Sequence, residues 1–114
     1  MVQFSLVSML EMVDEGVLSM ERMVQLMCHN PATLFGIQDR GFIREGMMAD
    51  LVLVRRDDTP YTITSADVLS KCGWSPREGD ALHWRVVSTW VNGKCVWDGV
   101  KVNEDVYGMP LAFA

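Results

Sequence analysis

The sequence is poor in the residues from which catalytic centres are made. Histidine occurs twice in 114 residues, at His29 and His83, far apart and outside any His-x-His or His-Glu-x-x-His spacing. Cys28, Cys72 and Cys95 are odd in number, widely separated and in no Cys-x-x-Cys pair. That excludes a disulfide framework and a zinc ribbon, and leaves three semi-buried thiols in a reduced, cytoplasmic chain as the expectation. Ten Lys and Arg stand against fifteen Asp and Glu, for a net charge of −5. The basic residues are scattered, so the stripe that phosphate backbones require is missing and nucleic acid is not an expected partner. No apolar run approaches the roughly 20 residues that span a bilayer. The apolar start, "MVQFSLVSML", has no basic leader, and Glu11 and Asp14 interrupt it before any small-residue cleavage site. Neither a Gly-x-Gly-x-x-Gly cradle nor a P-loop occurs, and there is no internal repeat.

What is there reads as an ordinary globular piece, 49% hydrophobic and 22% charged. A chain of this length buries about two-thirds of its unfolded surface, enough for a core. Leu6, Met9, Leu10 and Val13 recur at helical spacing and predict an amphipathic helix over 4–14, stopped by Gly16. Ser19 is placed to cap a second helix, with Glu21 at the positive end of its dipole and Met20, Met23, Val24 and Met27 on its apolar face. Asn30-Pro31 predicts a fresh start, Asn30 as the cap and Pro31 in the first helical position, ended by Gly36. The pattern then turns to strands. "ADLVLVRR" predicts a buried strand that Pro60 ends or places at an edge, and 64–83 reads as an ordered loop. "RVVSTWVNGKCVWDG" predicts a hairpin with strands near 84–91 and 94–98 around a type I′ turn at Asn92-Gly93. The tail has no strong period. Helices first and strands afterwards is not the alternation of a complete α/β domain, and strands this few need a partner sheet.

Candidate chemistry is thin throughout. His29 sits beside Cys28 at a helix end, where capping or solvation is the simpler role. His83 precedes a strand and has no second ligand in sequence. Cys72 lies in a glycine-containing loop with nothing to activate it. Asp57-Asp58 reads as a solvated turn. Trp74, Trp84, Trp90 and Trp97 could form a stacking platform, but Trp90 and Trp97 flank the hairpin turn, where cross-strand packing is expected. The residues alone therefore assign no catalytic, substrate-binding or metal-binding position.

Two stretches carry a resemblance. "NPATLFGI…RGFIREGMMADLVLV", from Asn30 to Val54, resembles the C-terminal signature of cyclic amidohydrolases, in which an Asn-Pro-Ala helix closes a barrel and an Ala-Asp-Leu-Val stretch enters a small β-sandwich. "SKCGWSPREGDALHWRVVSTWVNGKCVWDG", from Ser70 to Gly99, is similar to the dihydroorotase version of that family. The resemblance implies an α+β fragment: 1–36 as the last helices of a (β/α)8 barrel, and 37–114 as the C-terminal strands of the sandwich. Such a barrel takes about 250 residues, so the expectation is a C-terminal fragment of a longer enzyme.

For that parent the resemblance implies two zinc ions, a carboxylated lysine, and reversible hydrolysis of dihydroorotate to N-carbamoyl-L-aspartate by a metal-bridged hydroxide in pyrimidine synthesis. All of those ligands would lie upstream of Met1, so the fragment is expected to bind no zinc and to be inactive. Its partners would be the remainder of the enzyme or, through exposed apolar faces, further copies of itself. Competing expectations are the tail of a hydantoinase or allantoinase, a non-catalytic assembly subunit, and an independent module whose methionine-rich helices hold a peptide.

Overall fold

The computed structural model describes residues 2–114. A 3-10 turn, Val2–Phe4, leads into helix α1, Ser5–Asp14. The helix stops as its glycine predicts. Gly16 takes φ +75°, its N–H donates to the Val13 carbonyl at 3.0 Å, and the Val17 N–H reaches back to Met12 at 3.0 Å. This double bond pattern satisfies the carbonyls that a helix end leaves free. The buried face is rotated from the predicted one. Phe4, Val7 and Leu10 are the buried positions, while Leu6, Met9 and Val13 are only half-buried. The stripe facing the sheet continues into two carboxylates, Glu11 and Asp14, because what α1 covers is partly strand backbone in need of acceptors.

Ser19 caps the second helix as predicted, its hydroxyl accepting the Arg22 N–H at 3.1 Å. Helix α2, Met20–Val24, then runs without a break through a π-turn, Gln25–His29, into α3, Asn30–Leu34. The predicted restart at Asn30 is therefore corrected: Asn30 is helical, at φ −63° and ψ −45°, and its N–H donates to Gln25, five residues back. The physical reason is Pro31. A proline ring inside a regular helix collides with the carbonyl four residues before it and offers no N–H. One wide turn just ahead of it relieves both problems without ending the helix. Gly36, at φ +62°, closes α3 with the same bond pattern that ends α1.

Three strands form an antiparallel sheet in the order β1-β2-β3, with β1 spanning Leu51–Thr62, β2 Ala81–Val91 and β3 Lys94–Trp97. Strand β1 has a neighbour on one side, where Leu51 pairs with Trp90 and Val54 with Val86. Its other side is the free edge of the sheet. Nor is this segment buried here: Leu51, Val52 and Leu53 are 40, 46 and 58% exposed. Strand β1 runs past Pro60, but the ladder breaks between the Arg56–Trp84 and Tyr61–Leu82 pairs. Pro60 thus stands in an unpaired stretch of an edge strand, where its missing N–H costs nothing. The loop predicted over 64–83 is shorter than expected, because β2 begins at Ala81, and it contains a 3-10 turn, Ser65–Asp67. The hairpin is as predicted. Asn92 (φ 51°) and Gly93 (φ 77°) both take positive φ, and Val91 pairs with Lys94. The register sets Trp90 opposite Cys95 and Trp97 opposite Thr89, so the two tryptophans are not the direct cross-strand pair the sequence implied.

Phe4, Val7, Ile63 and Leu82 form the core, with Tyr61, Val68, Trp84 and Val86 packed around them. It lies between α1 and the β1–β2 pair. The tail, without a regular element, is pinned by backbone bonds: Ala114 N–H to Gly36 at 2.7 Å, and Gln38 N–H to Ala112 at 2.9 Å. No helix among the described residues is long and apolar enough to cross a membrane.

The connector after α3 packs tightly back on the helix at Gly41. Its φ is +86°, and a Cβ there would strike the Ala32 methyl and come within 2.9 Å of the Cys28 carbonyl. Replacing Gly41 with Ala is expected to lower unfolding free energy by about 2–4 kcal/mol, through positive-φ strain and overpacking together. Urea titration of the purified chain measures it, and an unchanged midpoint would refute the tight junction.

Candidate functional site

The residues singled out from sequence are dispersed by the fold. His29 stands in the π-turn and stacks on Phe42, with ring centroids 4.3 Å apart and planes 9° from parallel, and the Arg44 guanidinium lies 4.6 Å from the same phenyl ring. It serves packing rather than the capping or solvation expected of it. Cys28 precedes it and is exposed rather than half-buried as expected, though partial burial still pushes its thiol up. Cys72 is exposed in the loop before β2. The Ser70 hydroxyl 3.0 Å away holds its thiol below the ordinary value, but no imidazole contacts it. Asp57 bonds Arg55 at 2.7 Å and lies 3.3 Å from Arg85, and Asp58 reaches Arg56 at 3.4 Å, so each carboxylate faces a cation rather than the other. Trp74 is 63% exposed, remote from the hairpin tryptophans in sequence, and makes no ring contact among the described residues.

His83 alone belongs to a constructed cluster, and its partner is a residue that the sequence reading passed over. Glu11 projects from α1 onto β2 where the ladder to β1 is interrupted. One carboxylate oxygen accepts the backbone N–H of His83 and, at 3.1 Å, that of Trp84. The other lies 3.1 Å from His83 Nδ1. Burial works against ionisation of Glu11, but these hydrogen bonds outweigh it, and the carboxyl lies below its ordinary value. One turn further on, Asp14 receives Arg56 Nε at 2.7 Å and the Trp84 indole N–H at 3.2 Å. The Arg56 bond chiefly holds Asp14 low as well. The signal that could have found these residues is their position: Val7, Glu11 and Asp14 share the i, i+4, i+7 stripe of the buried face.

The loop that carried the dihydroorotase resemblance has an internal use for its polar groups. Ser75 is buried, its N–H donates to Glu78 Oε1 at 2.9 Å, and its hydroxyl accepts the Arg77 N–H at 3.2 Å. Thr64 and Asp67 make a similar reciprocal pair. The Gln3 amide docks the loop to the helix end, accepting Leu69 N–H at 3.0 Å and donating to the Asp67 carbonyl at 2.6 Å. A half-open cleft of about 550 Å³ lies nearby, lined by Phe4, Val7, Tyr61, Arg85, Val86 and Trp97 among others. Its cation is already occupied, because the Arg85 guanidinium lies 3.6 Å over the Tyr61 ring and faces Asp57. The cleft offers apolar walls and no nucleophile paired with a base. Among the described residues, no group of three or more His, Cys, Asp or Glu is arranged to hold a metal ion.

The remaining signature residues join the connector between α3 and β1 to the hairpin. Asp50 takes an ion pair from Arg40 and accepts the Asn92 N–H at 2.8 Å, while the Ala49 carbonyl accepts Gly93 N–H at 3.0 Å. Met109 N–H donates to Asn92 Oδ1 at 3.1 Å, bringing the tail onto the same turn.

Because Glu11 and Asp14 are held below their unfolded values, the stability they supply is complete above about pH 4, where unfolded carboxylates ionise, and is lost as pH falls through the lower folded values. Glu11→Ala, which strands two strand donors, is expected to cost about 3 kcal/mol at neutral pH. Glu11→Gln should cost less and flatten the acid limb of a stability-versus-pH profile. An unaltered acid limb would show that Glu11 is not the group being titrated.

Comparisons with known proteins agree on one family. The model of the amidohydrolase family matches residues 9–97. The chain is 39% identical to the dihydroorotase of Halobacterium salinarum over 102 residues, which is 90% of this chain and 24% of that protein. It is 30% identical to the allantoinase of Bacillus velezensis over 107 residues, 93% of this chain and 23% of that one. Among solved structures, the L-hydantoinase (dihydropyrimidinase) from Arthrobacter aurescens superposes with a TM-score of 0.73 at 33% identity, over 80% of this chain and 20% of that one. The chain thus spans about a quarter of the length of these curated relatives. With a family match over most of its length, a shared fold, and signature residues engaged between the connector and the hairpin turn, the chain belongs to the amidohydrolase family.

Proposed function

We propose that this chain is the C-terminal structural portion of a dihydroorotase. On this reading, 1–36 are the terminal helices of its (β/α)8 barrel and 37–114 the C-terminal part of its small β-sandwich. The parent is a cytoplasmic hydrolase that interconverts dihydroorotate and N-carbamoyl-L-aspartate. The observation that carries the reading is the 39% identity to a dihydroorotase over 90% of this chain.

The residues of this chain do not fit the two zinc ions of such an enzyme. His29 is stacked on Phe42, His83 is held by Glu11, and no three potential ligands converge among the described residues. Metal-dependent water activation is therefore assigned to the rest of the parent, and no step of it runs through this segment. The segment supplies scaffold: α1 fixed to β2 by Glu11, and the hairpin fixed to the connector at Arg40 by Asp50.

A second reading, action on allantoin or a hydantoin, is supported by the allantoinase match and by the hydantoinase superposition. The longer gene product carrying this segment, assayed with zinc on dihydroorotate, allantoin and hydantoin, separates the two. Turnover of dihydroorotate alone is expected, and preference for allantoin or hydantoin would replace the first reading with the second. The 114-residue chain by itself is expected to turn over none of the three, and any zinc-dependent turnover would refute the scaffold role.

The partner surface on this reading is the free edge of β1, with Leu51, Val52 and Leu53 exposed. Open edges with apolar side chains promote strand pairing between molecules. The isolated chain is accordingly expected to gain mass with concentration in light scattering, and a monomer at all concentrations would refute it.

A further inference from the structure

The pair Asn92-Gly93 raises a chemical question that its role as a turn does not answer. A glycine after asparagine leaves the next backbone nitrogen uncrowded, so that nitrogen can attack the side-chain amide. The Gly93 nitrogen bonds to Asn92 Cγ, the Asn92 Nδ2 group departs as ammonia with the Gly93 amide proton, and a succinimide ring forms. Water then opens the ring to aspartate or to isoaspartate. We propose that Asn92 is a site of spontaneous deamidation that the docked C-terminal tail holds shut.

Three observations lead there. The Gly93 N–H, which would have to become the nucleophile, donates to the Ala49 carbonyl at 3.0 Å. The Asn92 side chain is held through Oδ1 by the Met109 N–H at 3.1 Å, a bond made by the tail and by nothing else in the turn. Asn92 Nδ2, the leaving group, is buried and makes no hydrogen bond among the described residues. Ring closure requires the Asn92 main chain to swing until the Gly93 nitrogen eclipses Cβ. The left-handed conformation of a type I′ turn, with φ 51° at Asn92, keeps that nitrogen on the far side. Lifting the tail frees the side chain, and loosening the Ala49 bond frees the nucleophile.

The product would not be neutral for the fold. A carboxylate at position 92 stands beside Asp50, whose Oδ1 accepts the Asn92 N–H at 2.8 Å, so two like charges meet at the junction. Isoaspartate goes further, because it inserts a carbon into the main chain and the two-residue turn no longer closes. Deamidation is thus a one-way loosening of the point where the hairpin, the connector at 49–50 and the tail converge.

The test follows the tryptic peptide 86–94 by mass spectrometry, with the intact chain aged at mildly alkaline pH beside a sample kept unfolded in urea. The native chain is expected to accumulate the deamidated peptide many-fold more slowly than the unfolded one. Met109→Pro, which removes the N–H that holds Asn92 Oδ1, should accelerate the native rate several-fold. Leu10→Ala calibrates general loosening, since it opens the core at α1 and leaves the turn contacts in place. Equal native and unfolded rates would overturn the proposal, as would a Met109→Pro rate equal to that of the parent chain. Equal acceleration by Leu10→Ala at matched stability would also overturn it, because protection would then belong to the whole fold rather than to the tail.

Discussion

Two neighbouring backbone N–H groups on one strand set the terms for the rest of this fold. Between Trp84 and Leu82 the ladder from β2 to β1 is interrupted, and a half-buried donor without an acceptor costs about 1–3 kcal/mol. Glu11 resolves this by reaching across from α1 with a charged acceptor, whose hydrogen bonds are roughly twice as strong as neutral ones. That solution dictates how α1 lies. With Glu11 on the strand, Val7 and Leu10 necessarily face the core, and Asp14 comes within reach of Arg56 and the Trp84 indole. A helix of ten residues would be marginal alone; here polar bonds to strand backbone and apolar burial act on the same face.

The stretch from Asn30 to Val54 works as a joint, and its parts have identifiable physical duties. Pro31 is absorbed by a π-turn, Ala32 leaves room for Gly41, and Arg40 meets Asp50. Asp50 and Ala49 then hold both residues of the hairpin turn. These residues are the ones that carry the family likeness, and their side chains are turned to contacts within the chain. A signature can therefore mark an enzyme family through the geometry of its scaffold.

The surface shows the counterpart of this economy. Leu51, Val52 and Leu53 form an apolar run on a strand with one free edge, and Leu34, Phe35 and Ile43 are also well exposed. An apolar run of this kind normally belongs to a strand covered on both faces. The fold is self-consistent along α1, β2 and the hairpin, and open along β1. This asymmetry accords with a chain that spans about a quarter of its relatives' length.

Local chemistry was legible in the sequence wherever one residue type dominates the outcome. Glycine at a helix end, serine at a cap and Asn-Gly in a hairpin act through their own backbone or side chain within a few residues, so Gly16, Gly36, Ser19 and Asn92-Gly93 appear where the sequence indicates. The family resemblance was legible for a similar reason, being carried by short fixed spacings. What only tertiary structure decided were the choices between distant partners. Nothing local shows that Glu11 will meet a strand seventy-two residues later, that the helix will widen at Pro31 instead of stopping, or that β1 will pair with β2 and continue past Pro60. Each of these turns on whether a backbone donor has an acceptor once the chain has folded, and that is settled by the neighbours that folding brings together.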